Sequence, residues 1–258
     1  MTKAPAALLL SFLVLTLAPR PAQDVDGFVA RTFKGANGVT LPYRLYVPGE
    51  RSRGPLPAVV YLHGAAGGGT DNLKQITGGN TLGTHVWTTK EMQARYPAFV
   101  IAPQAPVGER WSTTTPQLAP YASLVLELLT NLSKEFSIDA DRVYLIGQSL
   151  GGFGTWDLIS KRPELFAAAV PLCGAGEPAR AAAARNVPIW AFHGAMDQTV
   201  PVVRSREMVA ALRAAGSAVK YTEYADVGHN VWTVAFSERE LPDWLFAQRR
   251  GRAALTPF

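Results

Sequence analysis

The sequence predicts a mixed α/β domain built on a mostly parallel sheet with helices on both faces, and three observations carry that prediction. The runs PAVVYLHG, AFVIAPQ, RVYLIGQ, AAAVPLCG and PIWAFHG are short and apolar on successive residues rather than alternating, as expected of strands covered on both sides. Between several of them lie stretches of helical period, YASLVLELLTNLSKEF, GGFGTWDLISKR and VVRSREMVAALRAAG. The chain has 258 residues, 48% of them hydrophobic and 17% charged, which suits one large core.

The elements follow in order. MTKAPAALLLSFLVLTLAPRPAQ has a lysine, then an apolar run too short to cross a bilayer comfortably, then proline and arginine. This pattern predicts a secretory signal peptide over 1–23 and one domain over 24–258. The product would be secreted or periplasmic, with no stable membrane association once the leader is removed. FVARTF and VTLPYRLYVP, joined through Asn37-Gly38, predict an antiparallel hairpin at the start of the domain. The parallel strands and their helices follow, then VKYTEYAD as a last strand and ERELPDWLFAQRR as a last helix. Val200-Pro201 marks an expected helix start.

Composition removes several classes of function. The single cysteine, Cys173, cannot form an internal disulfide, so the exported domain must be held by its core. The formal charge is +5, and two of those positives, Lys3 and Arg20, lie in the leader. What remains is too small and too scattered to argue for a nucleic-acid partner. The pattern does not decide the oligomeric state.

In a parallel sheet the working residues sit on loops at the carboxyl ends of the strands. At one such end Gly147-Gln148-Ser149-Leu150-Gly151 satisfies GxSxG, where strand RVYLIG meets a helix. The turn is tight enough that a Cβ two residues either side of the serine would collide with backbone, hence the glycines. Ser149 is left at the tip, beside a helix N-terminus that favours developing negative charge. A serine hydroxyl needs a base, and the base needs a third group to hold its tautomer. His229, in the loop DVGHNVW after the last strand, is the expected base, with His193 in AFHGAMD as its rival. Asp197 is the expected acid, with Glu177 in CGAGEP as the alternative. The expected oxyanion donors are the backbone N–H groups of Leu150 and of Ala65, the latter in the glycine-rich loop LHGAAGGGTDNLK. No GK[ST] follows those glycines, which argues against a phosphate cradle.

These motifs, together with LPYRLYVP, GERW and GHNVW, resemble the α/β-hydrolase superfamily. Within it the chain is similar to compact secreted esterases of the feruloyl and acetyl-xylan esterase, polyhydroxybutyrate depolymerase and prolyl-oligopeptidase-like groups. The resemblance implies an α/β-hydrolase catalytic domain over 24–258 with no cap domain, and the Ser149, Asp197, His229 triad with donors at Ala65 and Leu150. It implies hydrolysis of carboxylic esters, small or borne on a polymer, without cofactor or metal. The short segment after AAAVPLCG predicts an open cleft, lined by Trp111 and Trp232 with Gln148 beside the serine. Two other functions fit the same motifs: a peptidase acting on short peptides, and a non-catalytic carbohydrate-binding module.

Overall fold

The structure is a computed structural model that describes residues 24–49 and 54–251; the expected signal segment over 1–23 lies outside the described residues. Eight strands form one sheet: β1 (Phe28–Lys34), β2 (Thr40–Tyr46), β3 (Leu56–Leu62), β4 (Phe99–Pro103), β5 (Ile138–Gln148), β6 (Ala168–Leu172), β7 (Trp190–Gly194) and β8 (Lys220–Tyr224). Their spatial order is β1-β2-β4-β3-β5-β6-β7-β8. The expected hairpin is present, with Phe28 opposite Tyr46 and Lys34 opposite Thr40. At its turn Gly38 takes φ +82°, and Asn37 Oδ1 accepts the Val39 N–H at 3.0 Å. β2 pairs antiparallel with β4, and from β4 onward every pairing is parallel.

Parallel strands need crossovers, and these supply the helical layers. Along β3, Ala58, Val60 and Leu62 face one core while Val59 and Tyr61 face the other, and β4 and β5 divide the same way. The first core is closed by α3 (Pro120–Glu135), α4 (Leu150–Lys161) and α5 (Val203–Ala214). The second is closed by Ile76, Trp87 and the short helices α6 (Trp232–Ala235) and α7 (Glu240–Phe246). α3 shows why sequence forms helix here. Pro120 sits at its first position, and Ala122, Val125, Leu128 and Leu132 are buried at helical spacing.

Two expectations need correction. The helix after Asp197 starts at Val203 rather than at Val200-Pro201: Arg204 N–H donates to Pro201 O and Ser205 N–H to Val202 O, so the chain enters the helix through a tighter i to i+3 turn. Residues 74–95, which gave no helical pattern, form short 3-10 turns with α1 (Thr81–His85) and α2 (Lys90–Arg95). TGGNTLGTHVWTTK is rich in glycine and threonine, so these turns are held by packing rather than by propensity. Among the described residues the β6–β7 connection holds one 3-10 turn, Pro178–Ala184, and no inserted cap.

Candidate active site

Because β3 and β5 to β8 run parallel, the loops that follow them all emerge on one edge of the sheet. There the structure places Ser149, Asp197 and His229 in one chain of hydrogen bonds. Ser149 Oγ lies 2.8 Å from His229 Nε2, and His229 Nδ1 lies 2.7 Å from Asp197 Oδ2. A carboxylate only accepts, so Nδ1 carries the proton and Nε2 is left to accept from the serine hydroxyl. Asp197 is 7% exposed, and its second oxygen accepts the N–H groups of Thr199 and Val200, each at 2.9 Å. Its direction is thereby fixed by the loop rather than by solvent.

Ser149 stands at φ 51°, the left-handed region that a serine rarely adopts, at a cost of order 1–3 kcal/mol. The flanking glycines make this geometry possible. A Cβ on Gly147 would sit 2.2 Å from Gly151 O, and one on Gly151 would sit 1.9 Å from Leu62 O. The elbow is therefore pressed directly onto β3.

The loop after β3 borders the serine: a Cβ placed on Gly64 would meet Ser149 Cβ at 3.5 Å. The N–H groups of Ala65 and Leu150 donate to no acceptor among the described residues. Both are thus available at this edge. Side chains that the sequence did not single out hold this loop in shape. Gly64 N–H donates to Asn80 Oδ1 at 3.0 Å, and Gln104 Nε2 donates to Gly67 O at 3.1 Å. His63 Nδ1 donates to Gly64 O at 2.7 Å, and its Nε2 accepts the Ala105 N–H at 3.1 Å. No local pattern marks Asn80 or Gln104; only His63, at the end of a strand and before a glycine, carried any signal.

Burial lowers the His63 pKa to about 4, the hydrogen bond to Gly64 opposing it. The folded value lies below the unfolded value of about 6.5, so between the two the unfolded chain binds more protons. The stabilisation is complete above about pH 6.5 and is lost as the pH falls to about 4, amounting to about 3 kcal/mol. The urea midpoint should fall across that window, and His63→Gln should flatten the fall; equal slopes in the two proteins would contradict the assignment.

Two expected substrate-facing residues are corrected. Trp111 is fully buried: its Nε1 donates to His63 O at 3.1 Å and its ring meets His63 edge-on at 5.0 Å, so it wedges beneath the loop instead of lining a cleft. Gln148 is 3% exposed and its Nε2 donates to Gly79 O at 2.9 Å, so its amide braces a turn. Trp232 is half-buried, with its ring edge-on to His229 at a centroid distance of 5.7 Å. It stays beside the base.

The rival base His193 is fully buried. Its Nε2 lies 2.9 Å from Val200 O and 3.2 Å from Asp197 Oδ2, and its Nδ1 lies 2.7 Å from Ser205 Oγ. Burial lowers its pKa, so it stays neutral and steadies the acid from behind. Glu177 is exposed, away from this hydrogen-bond chain. Cys173 sits at φ 39° with its thiol buried, and burial pushes its pKa far up. One donor atom each of Cys173, Asp197 and His229 lies within 4.8 Å of the others. A metal there would have to displace the His229–Asp197 bond and find its third ligand in a thiol that holds its proton.

The profile of the phospholipase/carboxylesterase family matches residues 88–239, more than half of the chain. A stretch of 76 residues is 36% identical to part of a bifunctional acetylxylan esterase/xylanase of Neocallimastix patriciarum, covering 30% of this chain and 11% of that protein. The crystal structure of a thermostable esterase superposes with a TM-score of 0.82 at 38% identity, over 87% of this chain and 64% of that one. A ferulic acid esterase superposes with a TM-score of 0.66 at 16% identity, over 85% of this chain and 98% of that one. An acylaminoacyl peptidase of Pyrococcus horikoshii does so with a TM-score of 0.62 at 14% identity, over 89% and 44%. The last two share the fold alone. By sequence profile and by sheet topology together, the chain belongs to the phospholipase/carboxylesterase family and has the α/β-hydrolase fold.

Proposed function

We propose that the chain is a secreted serine hydrolase that cleaves carboxylic esters, of short or aromatic acids, through an acyl-enzyme intermediate. The observation that carries this reading is the hydrogen-bond chain from Ser149 Oγ to His229 at 2.8 Å and from His229 to Asp197 at 2.7 Å. Ser149 Oγ attacks the ester carbonyl while His229 Nε2 takes its proton, and the Asp197 carboxylate stabilises the imidazolium that results. The negative charge formed on the carbonyl oxygen is met by the N–H groups of Leu150, at the start of α4, and of Ala65, in the loop after β3. Collapse expels the alcohol, which leaves with the proton from His229. Water, deprotonated by the same nitrogen, then attacks the acyl group and frees Ser149.

Among the described residues the short β6–β7 connection inserts no cap, which supports esters hanging from a polysaccharide or polyester as substrates. The acetylxylan esterase relative supports the same substrate class. The leader-like start of the sequence supports export, and no described helix is long and apolar enough to cross a membrane.

The test is a hydrolysis panel of acyl chain lengths with feruloyl, acetyl-xylan and polyester substrates, run beside peptide amides of the same acids. Esters should turn over at least a hundredfold faster than the matched amides. Comparable turnover of amides would make the chain a peptidase, and absence of turnover on every substrate would remove the catalytic reading.

A further inference from the structure

A cavity of about 420 Å³ opens on the flank of α4, between that helix, residues 110–114 and the Pro178–Ala184 turn. It begins at Phe153, whose N–H donates to Ser149 O at 3.0 Å one helical turn from the serine, and it reaches Ser160. Its volume lies within the range of small-ligand sites.

The cavity's walls hold donors that no acceptor meets. Trp156 Nε1, Ser160 Oγ and Arg180 Nη1 are buried and have no hydrogen-bond partner among the described residues. Trp156 is 0% exposed and Ser160 8%. Arg180 is held in place through Nη2, which donates to Thr114 O at 2.5 Å, while its Nη1 stands 3.8 Å from Asp157 Oδ1, within ion-pair range but beyond hydrogen-bond distance. Asp157 is engaged mainly by Lys161, whose Nζ lies 2.7 Å from Oδ1 and 2.8 Å from Oδ2, and by the Thr113 N–H, which reaches Oδ2 at 3.3 Å. At the mouth, Arg110 has no carboxylate in ion-pair range among the described residues, and Arg204 reaches only Glu207, at 3.8 Å. The one other acid on the wall, Glu177, is exposed. The site is therefore positive and short of acceptors. A guanidinium whose Nη1 makes only a long ion pair and no hydrogen bond, beside further unpaired N–H and O–H donors, matches a planar anion with several lone pairs.

We infer that this cavity binds a carboxylate, held by Arg180 with Ser160 and approached past Arg110. Its bearer is either an ester substrate with a second acid group or a free acid such as the product of hydrolysis. The substrate-borne source rests on the esterase reading above; binding of a free acid does not.

Two arms test this. Calorimetry on Ser149→Ala protein would compare free adipate with uncharged adipamide. Adipate should bind saturably, at least tenfold tighter than adipamide, and Arg110→Ala and Ser160→Ala should each weaken it severalfold. Absence of saturable binding, equal binding of adipamide, or indifference to both substitutions would overturn the inference, whether or not the protein hydrolyses esters. Ser149 and Ser160 are separated by about 16 Å of helix, so the second arm compares 4-nitrophenyl hydrogen dodecanedioate, whose chain can span that distance, with 4-nitrophenyl dodecanoate on the wild type. A tenfold or larger preference in kcat/KM for the acid ester, collapsing in Arg110→Ala, assigns the carboxylate to the substrate. Binding of adipate without that preference supports the cavity as a site for a free acid.

Discussion

Ser149→Ala should lower kcat on any ester the protein accepts by about a millionfold, leaving only what positioning and the oxyanion donors supply. The loss is that large because the attacking oxygen and the proton relay act as one unit. With Oγ gone, His229 Nε2 has no hydroxyl 2.8 Å away from which to take a proton, and the 2.7 Å bond to Asp197 then orients a base with no task. For the same reason the double substitution of Ser149 and His229 by alanine should cost hardly more than either single one. Folding should survive, since the side chain is short and partly solvent-facing and its backbone is held from outside, with Ser149 N–H donating to Leu172 O at 2.9 Å. The measurement is ester turnover with thermal melting as the folding control, together with labelling by a fluorophosphonate. A well-folded alanine variant that keeps a tenth of the activity, or a wild-type protein that the probe does not label at Ser149, would sink the catalytic assignment.

Gly151→Ala should do to the fold what Ser149→Ala does to the chemistry. The added Cβ would lie 1.9 Å from Leu62 O, 2.5 Å from Leu62 C and 3.0 Å from His63 O. All three are backbone atoms at the end of β3, which is hydrogen-bonded to β4 on one side and β5 on the other. None of them can rotate away as a side-chain tip could, so either α4 or β3 must shift. The cost should be about 4 kcal/mol or more, a large part of the 5–15 kcal/mol that holds a domain together. Gly49→Ala is the matched control, because nothing lies within 4 Å of its added Cβ, and it should change stability by less than about 0.5 kcal/mol. Urea unfolding of the three proteins decides the matter: a Gly151→Ala midpoint equal to that of the control would mean that the strand-to-helix junction is looser than described.

The parts of this molecule that were legible in its sequence are those set by local chemistry. Unbroken apolar runs announce doubly covered strands, and GxSxG at a strand end announces a turn that excludes side chains. Asp197 and His229 were legible because they lie on loops that parallel topology sends to the same edge as Ser149. Contacts made across that edge left no local trace. GERW gives no sign that Trp111 lies under the loop bonded to His63 O, because both an exposed aromatic and a buried one are compatible with a tryptophan in a polar segment. Gln148 reads as a neighbour of the serine, but its amide turns to Gly79, a residue in a stretch whose composition predicts no element at all. The donors around α4 are equally silent: Trp156 and Ser160 look like ordinary core and helix residues until Arg180 arrives from a different crossover.

Cys173 has a practical consequence. It is the chain's sole sulfhydryl, and it lies wholly out of reach of solvent with its proton firmly held. A second cysteine engineered at an outward-facing position such as Val107 or Met196 would be the single handle for a maleimide dye or a resin. The molecule could then be tethered or tracked by fluorescence without first stripping out a native thiol.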